Sequence, residues 1–254
     1  MTASSDSNAA SFCQTLRTRF GRDITEGSAI DQEETFAEVL TALRPRRILE
    51  IGTRHGVSAA FFAQFADSVV TIDIEKSPES YRRKAREIWQ STGLEGKIES
   101  YLAPGDVGWQ YNAAKRGFIG TQEFDFAFID GSHHWRDVLF DFDCVRHCGC
   151  VLFHDYKPEG GDYADCDNER FQGIADVIDS LHPAAYIIGK HCSQMAVWLA
   201  PDHPARQSSA AAEYLQRLPR PGRSRLDAQL ALIRRHVDRR LERLSHSFRK
   251  RFAE

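Results

Sequence analysis

The sequence predicts an α/β protein with a doubly wound, mostly parallel seven-stranded sheet and an antiparallel edge hairpin. Three observations carry that class. Short apolar, β-branched runs alternate with longer segments of helical period. Glycine and proline punctuate the boundaries. Only the last two of the seven runs are joined by too few residues for a crossover helix.

In chain order, residues 31–43 (DQEETFAEVLTAL) read as an amphipathic helix with acids in its first turn, ended by Pro45. The run at 46–51 is a short strand, Gly52 and Gly56 bracket a turn, and 57–66 has a helix pattern. Residues 68–74 form a second strand, and Pro78 opens a helix over 79–91 that Gly93 closes. A third strand covers 97–102, and a polar, partly helical segment leads to a fourth at 124–130. Helix 134–146, strand 150–155, an acidic Gly-containing loop at 157–168 and helix 170–181 keep the rhythm. The final pair, AAYIIG and QMAVWLA, makes the edge hairpin.

The chain divides into a partly disordered leader (1–25), an α/β domain (26–200), a Pro-punctuated linker (201–224) and a C-terminal basic amphipathic helix (225–254). In the last segment Leu226, Leu230, Ile233, Val237, Leu241, Leu244 and Phe248 recur at steps of three and four. Residues 220–254 hold eleven Lys/Arg against four Asp/Glu. The tail is thus about +7 and the body about −10, a contrast that points the tail at an acidic surface.

Of the 254 residues, 42% are hydrophobic and 27% charged, an ordinary globular balance. No stretch approaches the roughly 20 apolar residues of a membrane span. The N-terminus lacks a basic region followed by an apolar run, so a cytoplasmic protein with free thiols is expected. Cys144, Cys148 and Cys150 surround His147, but their spacing matches no common zinc pattern; buried structural cysteines are the better reading.

In an open parallel sheet, ligands bind beyond the carboxyl ends of the strands. The first strand ends LEIGTRHGVS, where Gly52 and Gly56 permit a tight turn and Glu50 adds an acid suited to a cationic ligand. The pattern is not the G-x-G-x-x-G of a dinucleotide enzyme, which weakens a nicotinamide reading. Asp73, twenty-one residues after Gly52, ends the second strand where a ribose diol would be held. Together these elements favour a nucleoside ligand.

The segments ILEIGTRHGVSAAFFA, VVTIDIE, PGD, FDFAFIDGSHHWRDVLFDFD and GCVLFHDY resemble the class I S-adenosylmethionine-dependent methyltransferases, Rossmann-like in fold. The branch most resembled is the bacterial O-methyltransferases with I-D-G-x-H and H-D-Y motifs, similar to catechol-type and macrolide-sugar enzymes. The resemblance spans about residues 26–200. It implies that Glu50, Gly52, Thr53 and Gly56, with Ser58, line the methionine part of the cofactor. It implies Asp73 on the ribose, Ile74 against the adenine, Gly105 and Asp106 at the adenine edge, and Asp130 near the methyl group.

For a hydroxyl acceptor, the proton is the obstacle to methyl transfer. A positioned base or a metal removes it. His133 or His134 suits the first role and Asp130 orients or ligates. Asp130 and Asp155 would hold Mg²⁺, although related metal-dependent enzymes carry Asp or Asn where this chain has Tyr156. Plainer readings stand beside these. Either histidine can flank a helix cap, and Asp130 can cap the helix at 134–146. His154 is expected to pack beneath the site and bond to backbone, and His55 to be exposed. Trp109 and Trp135 wall the acceptor pocket or pack in the core.

The expected activity is S-adenosylmethionine-dependent O-methylation of a small-molecule, sugar or glycan hydroxyl. The rival is a non-catalytic nucleoside-binding domain that serves as an assembly partner. The tail is expected to self-associate as a homo-oligomer or dock on the body, with peripheral membrane attachment second. Nucleic acid is disfavoured, since no recognition motif is present.

Overall fold

The computed structural model describes residues 3–25, 32–105, 108–156, 168–181, 184–188, 195–221 and 224–251. Its seven strands are β1 (Arg47–Ile51), β2 (Ser68–Ile74), β3 (Ile98–Ala103), β4 (Phe126–Ile129), β5 (Cys150–Phe153), β6 (Ala185–Ile188) and β7 (Met195–Leu199). They form one sheet in the order β3-β2-β1-β4-β5-β7-β6. Only β7 runs against its neighbours, pairing antiparallel with β5 and β6. The expected edge hairpin is therefore present, with its later strand on the inside. The acidic loop expected at 157–168 falls almost wholly outside the described residues.

All strands except the edge strand β3 carry near-continuous burial because helices cover both faces. One layer holds α1 (Ala3–Phe20), α3 (Glu33–Leu43), α4 (Val57–Phe62) and α5 (Glu79–Ser91), whose buried side chains meet in one core. Phe128 packs edge-on against Phe36 and Phe62 there at 5.4 and 5.1 Å, and Phe36 meets Phe62 at a tilt at 5.5 Å. Each such ring stabilises the fold by about 1.5–3 kcal/mol on burial. The other layer holds α6 (Trp109–Ile119), α7 (Trp135–Val145) and α8 (Asn168–Ser180) over a second core.

Helix α3 stops where expected. Arg44 turns left-handed at φ 50°, its N–H closes on Leu40 O at 2.8 Å, and Pro45 follows. The leader differs from expectation: residues 3–20 form α1, and Cys13 and Leu16 are buried against the α3 side of the core. A mixed, weakly patterned segment hid that helix, because its burial comes from tertiary contact rather than periodicity. A short helix, α2 (Arg22–Thr25), follows α1. In the segment read as a linker, α9 (Ser209–Gln216) seats Leu215 in the first core.

The last helix, α10 (Arg225–Arg251), lies along α8. Ala228 is fully buried, Leu232 packs on the second core, and Arg235 Nε donates to Asp176 Oδ2 at 2.6 Å. Cys144, Cys148 and Cys150 are buried free thiols, in line with the structural reading.

Register sets up the site. Ile51 pairs with both Ile72 and Ile129, and Ile129 pairs with Phe153. The residues that follow these positions therefore leave the sheet side by side, at the point where strand order reverses between β1 and β4.

Candidate active site

The turn after β1 is shaped by close backbone approach. Gly52 has φ 106°, and a Cβ there would lie 2.3 Å from the Asp130 carbonyl oxygen. Only glycine lets the ends of β1 and β4 come together in this way. Gly56 has a different reason. A Cβ would lie 2.7 Å from the Trp89 ring, whose Nε1 donates to Gly56 O at 2.8 Å. Its conformational freedom thus serves helix packing, and it is absent from the cavity lining.

Glu50 is fully buried beneath this turn. Thr71 Oγ1 donates to Glu50 Oε2 at 2.5 Å, and Thr53 Oγ1 lies 2.6 Å from Thr71 Oγ1. With Thr71 donating to the carboxyl, Thr53 is the donor to Thr71. Burial pushes the Glu50 carboxyl well above its usual range; the Thr71 bond opposes this, and Asp130 and Asp73 add to it. Its Oε1 is a buried acceptor without a hydrogen-bond partner. A cationic ligand group would satisfy such an atom.

Asp73 ends β2 and faces the cavity. Its carboxylate accepts from Ile74 N at 2.8 Å, from Arg54 N at 3.2 Å and from Ser77 Oγ at 3.2 Å. These bonds fix the group while leaving acceptor capacity for a diol. Above it lies a cavity of about 680 Å³, lined by Gly52, Thr53, Asp73, Ile74, Asp130, His133, His154 and Asp155 among others. That size suits a nucleoside-scale ligand.

The ends of β4 and β5 supply the titratable cluster. Asp155 sits in the left-handed region at φ 57°, so it and His154 both face the cavity instead of alternating as in a strand. His133 Nε2 lies 3.0 Å from Asp155 Oδ2. His154 Nδ1 lies 3.2 Å from Asp130 Oδ1 and 3.3 Å from Asp155 Oδ1. It makes a well-directed hydrogen bond to neither, so these contacts are chiefly electrostatic. Burial presses the His154 imidazole toward neutrality, but Asp130 and Asp155 outweigh it and raise its pKa well above the usual value. Burial pushes Asp155 up; the His133 and His154 imidazoles beside it reverse this and hold it well below the usual carboxylate range.

Asp130, His154 and Asp155 can also offer three ligand atoms within 4.8 Å of one another, a set that fits a divalent cation. His154 was expected under the site and bonded to backbone; instead its ring is the third member of the group. Tyr156, at the position where Asp or Asn would help, is fully buried and donates to Asp179 Oδ1 at 2.7 Å.

Other expectations part company with the geometry. His134 caps α7: its Nδ1 accepts from Arg136 N at 3.3 Å and its ring stacks on Trp135. It is absent from the cavity lining, and the cap role considered for Asp130 belongs to it. Glu50, Ser58 and Gly105 are likewise absent from the lining, and Asp106 lies outside the described residues. His55 is buried at the cavity wall, with its ring 4.4 Å from that of Tyr81. Trp109 is 80% exposed and away from the cavity.

Sequence reading missed the wall formed by Tyr111, Lys115, Asp137 and Asp141. Lys115 Nζ donates to Asp141 Oδ1, both groups are buried, and Nζ sits 4.4 Å from the centre of the Tyr111 ring. The available signal was spacing. Residues 111 and 115, and 137 and 141, are four apart and so share one face of their helices.

A family model described as a methyltransferase domain matches residues 49–156. No curated protein matches the chain in sequence. Among solved structures, the O-methyltransferase TomG of Streptomyces achromogenes, in complex with S-adenosylmethionine (SAM), is 21% identical with a TM-score of 0.53. That match covers 77% of this chain and 89% of TomG. An O-methyltransferase of Bacillus cereus in complex with SAH is 17% identical at TM-score 0.51, over 76% of this chain and 99% of that one. The SAH-bound methyltransferase PaMTH1 of Podospora anserina is also 17% identical at 0.51, over 75% and 87%. At these identities the likeness is one of fold.

Proposed function

We propose that this chain, whose residues 49–156 match a methyltransferase-domain model, is a class I methyltransferase that transfers the methyl group of SAM to a hydroxyl of a small-molecule, sugar or glycan acceptor. The observation that carries the reading is the His133–Asp155 pair, 3.0 Å apart, on the same cavity as Asp73. Asp73 accepts from the ribose hydroxyls. Ile74 lies against the adenine. The Glu50–Thr71–Thr53 chain supports the turn that holds the cationic end of the cofactor. SAM supplies, when bound, a methyl group on a good leaving group, so the protein's task is alignment and proton removal. His133 takes the hydroxyl proton, and the Asp155 carboxylate stabilises the imidazolium that forms.

The same cluster would hold a divalent ion through Asp130, His154 and Asp155, and such an ion would lower the pKa of the acceptor hydroxyl. The nitrogen ligand makes Mg²⁺ a less natural occupant than a softer divalent ion. Buried free thiols fit the reducing cytoplasm as the site of action.

An acceptor screen that follows SAH formation, with and without chelator, tests substrate class and metal together. His133→Ala should lower turnover roughly 10²–10⁴-fold while SAM binding by calorimetry persists. His134→Ala should leave turnover within a few-fold and cost about 1 kcal/mol of stability through the lost cap. Turnover untouched by His133→Ala would remove the base assignment. Loss of turnover on chelation, restored by a divalent ion, would assign the metal. Turnover unaffected by chelator would leave the His154 imidazole as the cation between the two carboxylates. SAM binding without turnover of any acceptor would favour the non-catalytic reading.

A further inference from the structure

Helix α10 turns its apolar stripe away from the protein. Leu226, Leu230, Ile233 and Val237 are 65%, 54%, 59% and 47% exposed, although their spacing is that of a buried helix face. The face that meets α8 is a different one, made by Ala228, Leu232 and Arg235. At 3.6 residues per turn, that face lies roughly opposite the stripe. The Arg235–Asp176 ion pair and the burial of Ala228 hold the helix in this orientation, so the stripe faces outward as a consequence of how the helix docks.

We propose that this outward stripe is a docking surface for an anionic phospholipid bilayer, with α10 lying in the plane of the membrane interface. The charge pattern selects that occupant. Arg234 and Arg240, both exposed, fall beside the stripe on either flank at helical spacing. Across residues 220–254, eleven Lys/Arg stand against four Asp/Glu. A narrow apolar stripe between cations fits lipid tails under anionic headgroups. A second copy of the same helix would bring two strongly basic surfaces together, which opposes pairing through this stripe. The helix has 27 residues, about 40 Å at 1.5 Å per residue, and its sequence continues the spacing with Leu241, Leu244 and Phe248. Among the described residues no helix is long and apolar enough to cross a membrane, so contact would be peripheral.

The test is co-sedimentation of the full chain with vesicles of phosphatidylcholine alone or with added phosphatidylglycerol, together with its sedimentation equilibrium without lipid. Binding should require phosphatidylglycerol and weaken as salt rises. Leu230→Glu with Ile233→Glu, and separately Arg234→Glu with Arg240→Glu, should each lower the bound fraction more than about fivefold. An unchanged thermal midpoint would establish that these exposed-site variants still fold. Equal binding to neutral vesicles, no binding to either kind, or variants that bind like the parent would overturn the proposal. So would a lipid-free dimer that Leu230→Glu with Ile233→Glu dissociates, which would make the stripe an interface between copies. These readouts are independent of methyl transfer.

Discussion

A single buried carboxyl shows how ligand binding and stability compete in this protein. Glu50 is fully enclosed, holds one bond from Thr71 and leaves Oε1 unmatched. Burial keeps its carboxyl protonated well above the pH at which an unfolded glutamate ionises, about 4.3. Above that pH the unfolded chain holds fewer protons at this position, so stability falls as pH rises toward the raised folded pKa. Glu50→Gln removes the slope. In urea titrations at pH 5 and pH 8, the parent midpoint should drop more than that of the variant. SAM affinity of the variant should fall only a few-fold, because Glu50 supports the Thr71–Thr53 chain under the turn without lining the cavity. Equal pH slopes in the two proteins would rule out this account of Glu50.

Between elements, the Lys115–Asp141 pair is a buried polar link near the site, tying α6 to α7 on the cavity wall. Its two charges are out of water, so the pair adds little net stability, yet breaking it strands one charge. Lys115→Met should therefore cost about 3–5 kcal/mol in denaturant unfolding, and Lys115→Met with Asp141→Leu should recover most of that loss. A single variant as stable as the parent would show that water reaches the pair. Helix caps belong to this scale too. The I-D-G-x-H segment supplied both a site residue and a cap, and only the backbone separates His133, turned into the cavity, from His134, turned onto α7.

Across the whole molecule, the sheet delivers Gly52, Asp73, Asp130 and Asp155 to one edge, and the cavity above it is the place a ligand would stabilise. SAM at 100 times its Kd would add about 2.7 kcal/mol to the native state. For a chain of this size that is a rise of roughly 5–10 °C in thermal midpoint. Asp73→Ala should lose most of the shift. A parent protein whose midpoint ignores SAM would contradict the nucleoside reading of the cavity.

The alternation of strands and helices, the seven-strand count, the edge hairpin, and Asp73, Asp130, His133 and Asp155 as cavity residues were readable from sequence alone. Each depends on local period or on position at a strand end, which the chain states residue by residue. The burial of α1, the metal-like grouping of His154 with two aspartates, the Lys115–Asp141 wall and the outward stripe of α10 were decided by tertiary structure. They depend on which distant elements meet, and on a left-handed turn at Asp155 that breaks strand alternation. Gly56 spans both cases: its sequence marks a turn, but only packing reveals that the indole of Trp89 is what excludes a side chain there.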